Sequence, residues 1–216
     1  MLLQRASHCF KALQAPVYRL SVRSLKTLSN NPHIYAIPES DSSGSHILTY
    51  LKTVPPTESL AIGTTTTLPP TPKSFTPNPK FLPILNSVLS ENVFDDPDVQ
   101  NQAHGFAAST STQILSTQRR RGGKRNVNAA VGGWLHVSDN RKPPDWARIA
   151  DPEDIFGSVM VDGTGQLVRD AGTWSESGTY RLVTNDGILG LSDFLRGKLV
   201  QRLEEEERKI KAESSQ

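Results

Sequence analysis

Within a short stretch the chain gathers His136, Asp139, Arg141, Asp145, Arg148, Asp151, Glu153 and Asp154. A histidine within hydrogen-bond reach of a carboxylate could shuttle protons, and an arginine beside it could hold an anionic substrate, which makes His136 and Asp139 the candidate acid–base pair. The same spacing also suits a surface loop in which Arg141 and Arg148 pair with neighbouring acids and Asp151 caps a turn. The loop is the preferred reading, because nearness in sequence does not bring side chains together in space.

A second cluster is purely basic. Arg119, Arg120, Arg121, Lys124 and Arg125 place five charges in seven residues, enough for counterion-releasing contacts to RNA phosphates or to an anionic lipid surface. The run contains no interleaved aromatic on which bases could stack and only one Arg-Gly-Gly triplet, so a solvated linker is the competing reading. Trp134, Trp146 and Trp174 are candidate interface anchors, although a block this small also needs large apolar side chains for its own core.

Other chemistries lack their residue patterns. After Cys9 there is no cysteine, and His33, His46, His104 and His136 are scattered, with no HExxH or CxxC to assemble a zinc site. Asp162-Gly163-Thr164-Gly165 starts like a calcium loop but lacks the alternating acids and closing glutamate, and reads as a hairpin turn. Gly122-Gly123-Lys124-Arg125 lacks Walker spacing, no third glycine follows Gly163 and Gly165 to open a helix, and there is no GxSxG elbow. No cofactor is expected, no metal site is assigned, and the balance leans away from an enzyme.

The elements that must position these residues can be read from periodicity. Residues 33–108 form a Pro-rich block in which Ile34–Ile37, Ile47–Leu51 and Leu60–Ile62 predict short edge strands between extended connections, since proline has no N–H to give to a ladder. Phe81, Leu82, Leu85, Val88 and Leu89 recur at helical spacing within Lys80–Val93. Asp96 then reads as an N-cap with Pro97 at the first helical position of a polar helix through about Ala107. Residues 109–130 read as a basic, Ser/Thr/Gln-rich disordered linker.

Residues 131–213 form the more structured block. Gly133–Val137 predicts a strand, and Asp151–Asp154 a capped helical turn. Ser158–Val161 and Gln166–Arg169 flank the Asp162–Gly165 turn, and Thr179–Thr184 returns through Asn185-Asp186-Gly187 into Ile188–Leu191. Ser192 caps a final helix whose Leu195, Leu199 and Leu203 share one face, with Glu204–Glu207 beginning its solvated end. Strands followed by a closing helix predict an α+β fold: a small antiparallel core closed by a C-terminal helix, with an extended Pro-rich N-terminal half and a disordered leader and linker.

The chain has 216 residues, of which 36% are apolar and 21% charged, with 15 Pro and 15 Gly, so any core is small. Five of the basic residues (Arg5, Lys11, Arg19, Arg23 and Lys26) precede the first carboxylate, Glu39, and the remaining 19 are outnumbered by 22 acids. The body of the protein is therefore not a globally basic nucleic-acid binder. Residues 1–32 read as a mitochondrial presequence: Leu3, Phe10, Leu13, Val17 and Leu20 fall on one side of a helical projection and Arg5, Lys11 and Arg19 on the other. Arg19 and Arg23 are candidate processing points, placing the mature start within Ser21–His33. No later segment is apolar enough to span a bilayer.

Gly133–Asp139, Pro143-Pro144-Asp145, Arg148-Ile149 and Asp151–Val159 resemble a family of fungal mitochondrial proteins of uncharacterised function. So do Ser177–Arg181, Asp186–Leu191, Ser59–Thr66 and Phe81–Leu85, so that the likeness covers about residues 46–90 and 131–203. It implies a mitochondrial setting and two blocks acting together, and it implies no reaction. The combined expectation is a non-catalytic accessory or assembly protein, in the matrix or peripheral to the inner membrane, working through contacts with a mitochondrial protein complex. The alternatives are an RNA-contacting or ribosome-associated protein using the basic run, and a small enzyme centred on His136 and Asp139.

Overall fold

The computed structural model describes residues 25–39, 44–121, 132–145, 148–170 and 172–213, with only the backbone course considered for 110–121. The fold is α+β. Its first part is an antiparallel five-stranded meander in sequential order: β1 (Lys26–Thr27), β2 (Tyr35–Pro38), β3 (His46–Thr49), β4 (Gly63–Thr65) and β5 (Phe75–Pro77). The short strands expected in the Pro-rich block thus form one sheet, in which β2, β3 and β4 are interior strands rather than edges. Its prolines sit at strand ends and in connections, as in Pro38 closing β2 and Pro77 closing β5, where the missing N–H disturbs no central ladder.

The last residues of the 1–32 segment already belong to this sheet. Lys26 and Thr27 pair with Ala36 and Tyr35, Leu28 is buried, and the Asn31 amide donates to the Leu189 carbonyl at 2.8 Å. Residues 25–32 are therefore part of the fold, held by burial and by ladder pairing.

Helix α1 (Phe81–Asn92) buries Phe81, Leu85, Val88 and Leu89, the face its periodicity predicts. Helix α2 (Pro97–Arg121) starts where Asp96 and Pro97 place it, the Asp96 carboxylate accepting from Asp98 N at 3.0 Å. Unlike the sequence expectation, it does not stop near Ala107 but runs on through Arg121. Neither Gly nor Pro interrupts residues 106–121, and Ala, Gln, Leu and Arg among them favour helix.

A second, three-stranded antiparallel sheet in the order β6-β7-β8 follows: β6 (Gly133–Ser138), β7 (Ile155–Val161) and β8 (Trp174–Glu176). The Asp162–Gly165 turn forms as predicted, with one Asp162 carboxylate oxygen accepting from the N–H groups of Thr164 and Gln166. The return strand, however, is reduced to a single bridge from Val161 to Leu167. The place beside β7 goes to β8 instead. The chain then turns from β9 (Val183–Thr184) into β10 (Gly187–Ile188) and closes with α3 (Asp193–Glu213).

Ser192 caps α3 through Leu195 N, and Leu195, Leu199 and Leu203 are buried. Glu207 departs from the expected solvated end. It is buried, and its carboxylate accepts from the Thr53 and Thr57 hydroxyls at 3.0 and 3.1 Å and pairs with Lys211. One core unites both blocks: Leu48 and Ile62 from the first sheet, Phe81 and Leu89 from α1, Val159 from β7 and Leu199 from α3 belong to a single cluster. Among the described residues no helix is long and apolar enough to cross a membrane.

Candidate functional site

Strand β6 carries His136 and Trp134 and leads into Asp139, and its alternation sorts them. Leu135 packs against the core and Val137 is buried within it, whereas Trp134 and His136 face solvent. A register shift between Val137 and Ser138 follows, and Asp139 at the strand's end is again directed inward. His136 and Asp139 therefore point to opposite sides. The acid–base pair that their sequence spacing suggests is not assembled, because a period-2 strand separates them.

Asp139 is fully buried and heavily bonded. One carboxylate oxygen accepts from Arg141 N at 2.8 Å and Gly190 N at 2.9 Å, and the other from the Tyr180 hydroxyl at 2.8 Å. Arg141 lies beside it with its side chain only 3% exposed, 3.7 Å from that second oxygen. Its guanidinium donates to Asp154 at 2.6 Å, to the Glu153 carbonyl at 2.9 Å and to the Leu182 carbonyl at 3.2 Å, and stacks toward the Tyr180 ring. Burial pushes the Asp139 carboxyl up to about 6 even though Arg141 and the three donors oppose the rise. Burial and the facing Asp139 charge push the Tyr180 phenol upward as well.

This knot fastens the end of β6 to the 152–154 turn and to the 180–190 segment. Backbone bonds parallel it, from Asp139 N to the Asp154 carbonyl at 2.7 Å and from Asn140 N to the Gly190 carbonyl at 2.9 Å. Gly190 is required by close approach, since a Cβ there would meet Arg141 N at 2.9 Å and Asp139 Oδ1 at 3.0 Å. Sequence reasoning missed Tyr180 and Gly190 as members. Arg141 does pair with neighbouring acids, but inside the fold and not on the surface.

Nearby, Asp151, Asp154 and Asp186 bring one oxygen each within 4.8 Å of one another. Lys142 bridges Asp151 and Asp186 at 3.3 and 3.2 Å, and Arg141 holds Asp154, so each of the three carboxylates already has a cationic side-chain partner. Two shallow hollows, of about 150 and 160 Å³, lie elsewhere, one beside Ile47 and Asn78 and one beside His104 and Arg169. Both are smaller than the 300 Å³ or so from which small-molecule pockets begin.

The chain matches no protein-family model, no curated protein and no solved structure. The outer face of the second sheet is then the remaining candidate. Trp134 is 48% exposed and stands directly across from Met160 on β7, itself 39% exposed. His136 stands across from Ser158, whose hydroxyl meets its Nδ1 at 2.8 Å and fixes the ring's orientation. Ser175 of β8 continues the row beside Ser158.

The other candidates divide as follows. Trp174 lies on the core side, its ring over Gly157, where a Cβ would come within 2.6 Å of it, so it serves packing. Trp146, Lys124 and Arg125 lie outside the described residues. Arg119, Arg120 and Arg121 close helix α2, not an unstructured linker. Helix α2 lies against the start of β6, where the Phe106 ring closes over Gly133.

Proposed function

We propose that this chain is a non-catalytic mitochondrial accessory or assembly protein, acting by binding a macromolecular partner through the outer face of β6 and β7. The observation that carries the reading is the cross-strand pair of Trp134 and Met160, two large apolar side chains held in solvent on a rigid sheet. Large aromatics exposed on a sheet are the residue type that anchors interfaces. The buried charged residues around Arg141 support the same reading from the other side. They are consumed in holding the fold, and their bonds face inward. The mitochondrial setting rests on the basic, acid-free leader.

The test is a tagged chain expressed at native level, comparing wild type with Trp134→Ala. The reading expects protection from protease inside intact mitochondria, and a co-purifying set that persists for wild type and is depleted for the variant. A protein outside mitochondria overturns the address, and an unchanged set in the variant overturns the face. A protein complex is the simplest partner for such a surface. A nucleic acid is the second reading, favoured by the imidazole next to the indole on a strand without acids.

A further inference from the structure

We infer that the outer face of β6 is a stacking platform for a single-stranded nucleic acid, with the basic end of α2 supplying phosphate contacts. This rests on the binding face proposed above and takes up its second reading, a nucleic-acid partner. The basic run lacks aromatics of its own, and the fold supplies them: Trp134 and His136 stand two residues apart on one solvent-facing side of an edge strand. At a strand rise of about 3.3 Å per residue they sit roughly 6.6 Å apart. Bases stacked on one another are separated by only about 3.4 Å along a strand. Two neighbouring bases can each take one ring only when unstacked from each other, which a single strand permits and a duplex does not.

Charge points the same way. From Val99 to Ser138 the chain holds no Asp or Glu, although the protein as a whole has 22. Arg119–Arg121 close α2, the helix that packs against the start of β6 through Phe106 and Gly133. Apolar support comes from Met160 beside the indole, and the Ser158 hydroxyl holds the imidazole in one orientation. The platform is thus built before any ligand arrives, which lowers the ordering cost of binding. Of the acids around the strand, Asp139 and Asp154 face inward beside Arg141, and Asp162, next to Gly132, turns its carboxylate onto the N–H groups of Thr164 and Gln166 in its own turn.

Binding of the full chain to fluorescein-labelled 20-mers of oligouridylate and oligothymidylate, and to a duplex of the same length, is read by anisotropy between 50 and 200 mM salt. The single strands should bind tighter than the duplex. Trp134→Ala should weaken single-strand binding at least about five-fold, the loss of one stacked base, while Trp134→Phe, which keeps a ring, restores most of it. Replacing Arg119, Arg120 and Arg121 together by Gln should reduce the slope of log K against log salt by about 2. Preference for oligouridylate over oligothymidylate, or the reverse, assigns RNA or DNA.

Equal binding of duplex and single strand with no effect of Trp134→Ala overturns the platform, leaving phosphate contact only. No binding to any oligomer, with Trp134-dependent protein co-purification intact, overturns this inference in favour of a protein partner and leaves the proposed function standing. Circular dichroism of each variant guards against misfolding.

Discussion

Replacing Arg141 by Met tests whether the buried knot is a structural lock. The substitution removes the guanidinium that contacts Asp154 at 2.6 Å and stands 3.7 Å from Asp139, and leaves both carboxylates buried without a countercharge. Breaking a buried pair from one side costs about 3–5 kcal/mol. The carbonyls of Glu153 and Leu182 also lose a donor, but they keep Arg181 N at 3.1 Å and Leu189 N at 2.8 Å, so this adds little. Against a total stability of about 5–15 kcal/mol the loss is a large fraction. With a urea slope near 2 kcal/mol/M, the unfolding midpoint should fall by about 2 M. Lys142→Met is the control: it removes contacts of 3.2 and 3.3 Å to Asp186 and Asp151, but in water, and should barely move the midpoint. The loss in Arg141→Met should also shrink toward pH 4, where the buried Asp139 carboxyl is protonated and neutral. A midpoint shift for Arg141→Met no larger than that of Lys142→Met would refute the argument.

The Asp139 carboxyl, raised from 3.8 to about 6, binds a proton more readily in the folded state, so its contribution to stability is fully present below pH 4 and is lost as pH rises through 6. That window is worth about 3 kcal/mol, and chemical denaturation of wild type and Asp139→Asn across it should show this slope only in wild type. Because Leu28 and Asn31 are tied into the fold, any leader removal on the proposed mitochondrial address should leave a chain that begins no later than Leu25 on N-terminal sequencing. Recombinant chain lacking residues 1–33 should lose about 3 kcal/mol relative to one lacking 1–24, from a buried leucine and a hydrogen bond. Gly157→Ala should cost about 1–3 kcal/mol and shift tryptophan emission, because the new methyl would fall 2.5 Å from the Ser175 carbonyl and 2.6 Å from the Trp174 ring.

Much of the fold was legible because local signals carried it. The apolar face of α1, the Asp96–Pro97 start of α2, the Asp162 turn and the Ser192 cap are all set by residues within one or two turns of each other. What was not legible depended on distant partners. Gln166–Arg169 looks like a hairpin return, but the position beside β7 is taken by Trp174–Glu176, whose indole fits over Gly157. Glu207 looks solvated until Thr53 and Thr57 arrive from the other end of the chain. The candidate site divides the same way. Trp134 and His136 on one face and Asp139 on the other could be placed by alternation alone, whereas Tyr180 and Gly190, which receive the Asp139 carboxylate, are set by contacts across more than forty residues.

The basic stretch is an excursion from a core closed without it. Helix α2 leaves from a buried cap, where the Ser192 hydroxyl donates to Asp96 at 2.8 Å and so joins the starts of α2 and α3. It stays packed through Val99 and Ala103, and at Phe106 it already touches Gly133, where the chain re-enters as β6. The two ends of the excursion are therefore adjacent, and a short Gly/Ser bridge can replace residues 110–131. Loop-closure entropy changes by only about 0.6 kcal/mol for each doubling or halving of length, so the shortened chain should keep its urea midpoint within about 0.5 M. Binding to single strands should nevertheless fall, and its salt slope flatten, because the charge is gone while Trp134 and His136 remain. Unfolding of the shortened chain would show that the stretch is structural, and unchanged binding would show that the sheet face works without it.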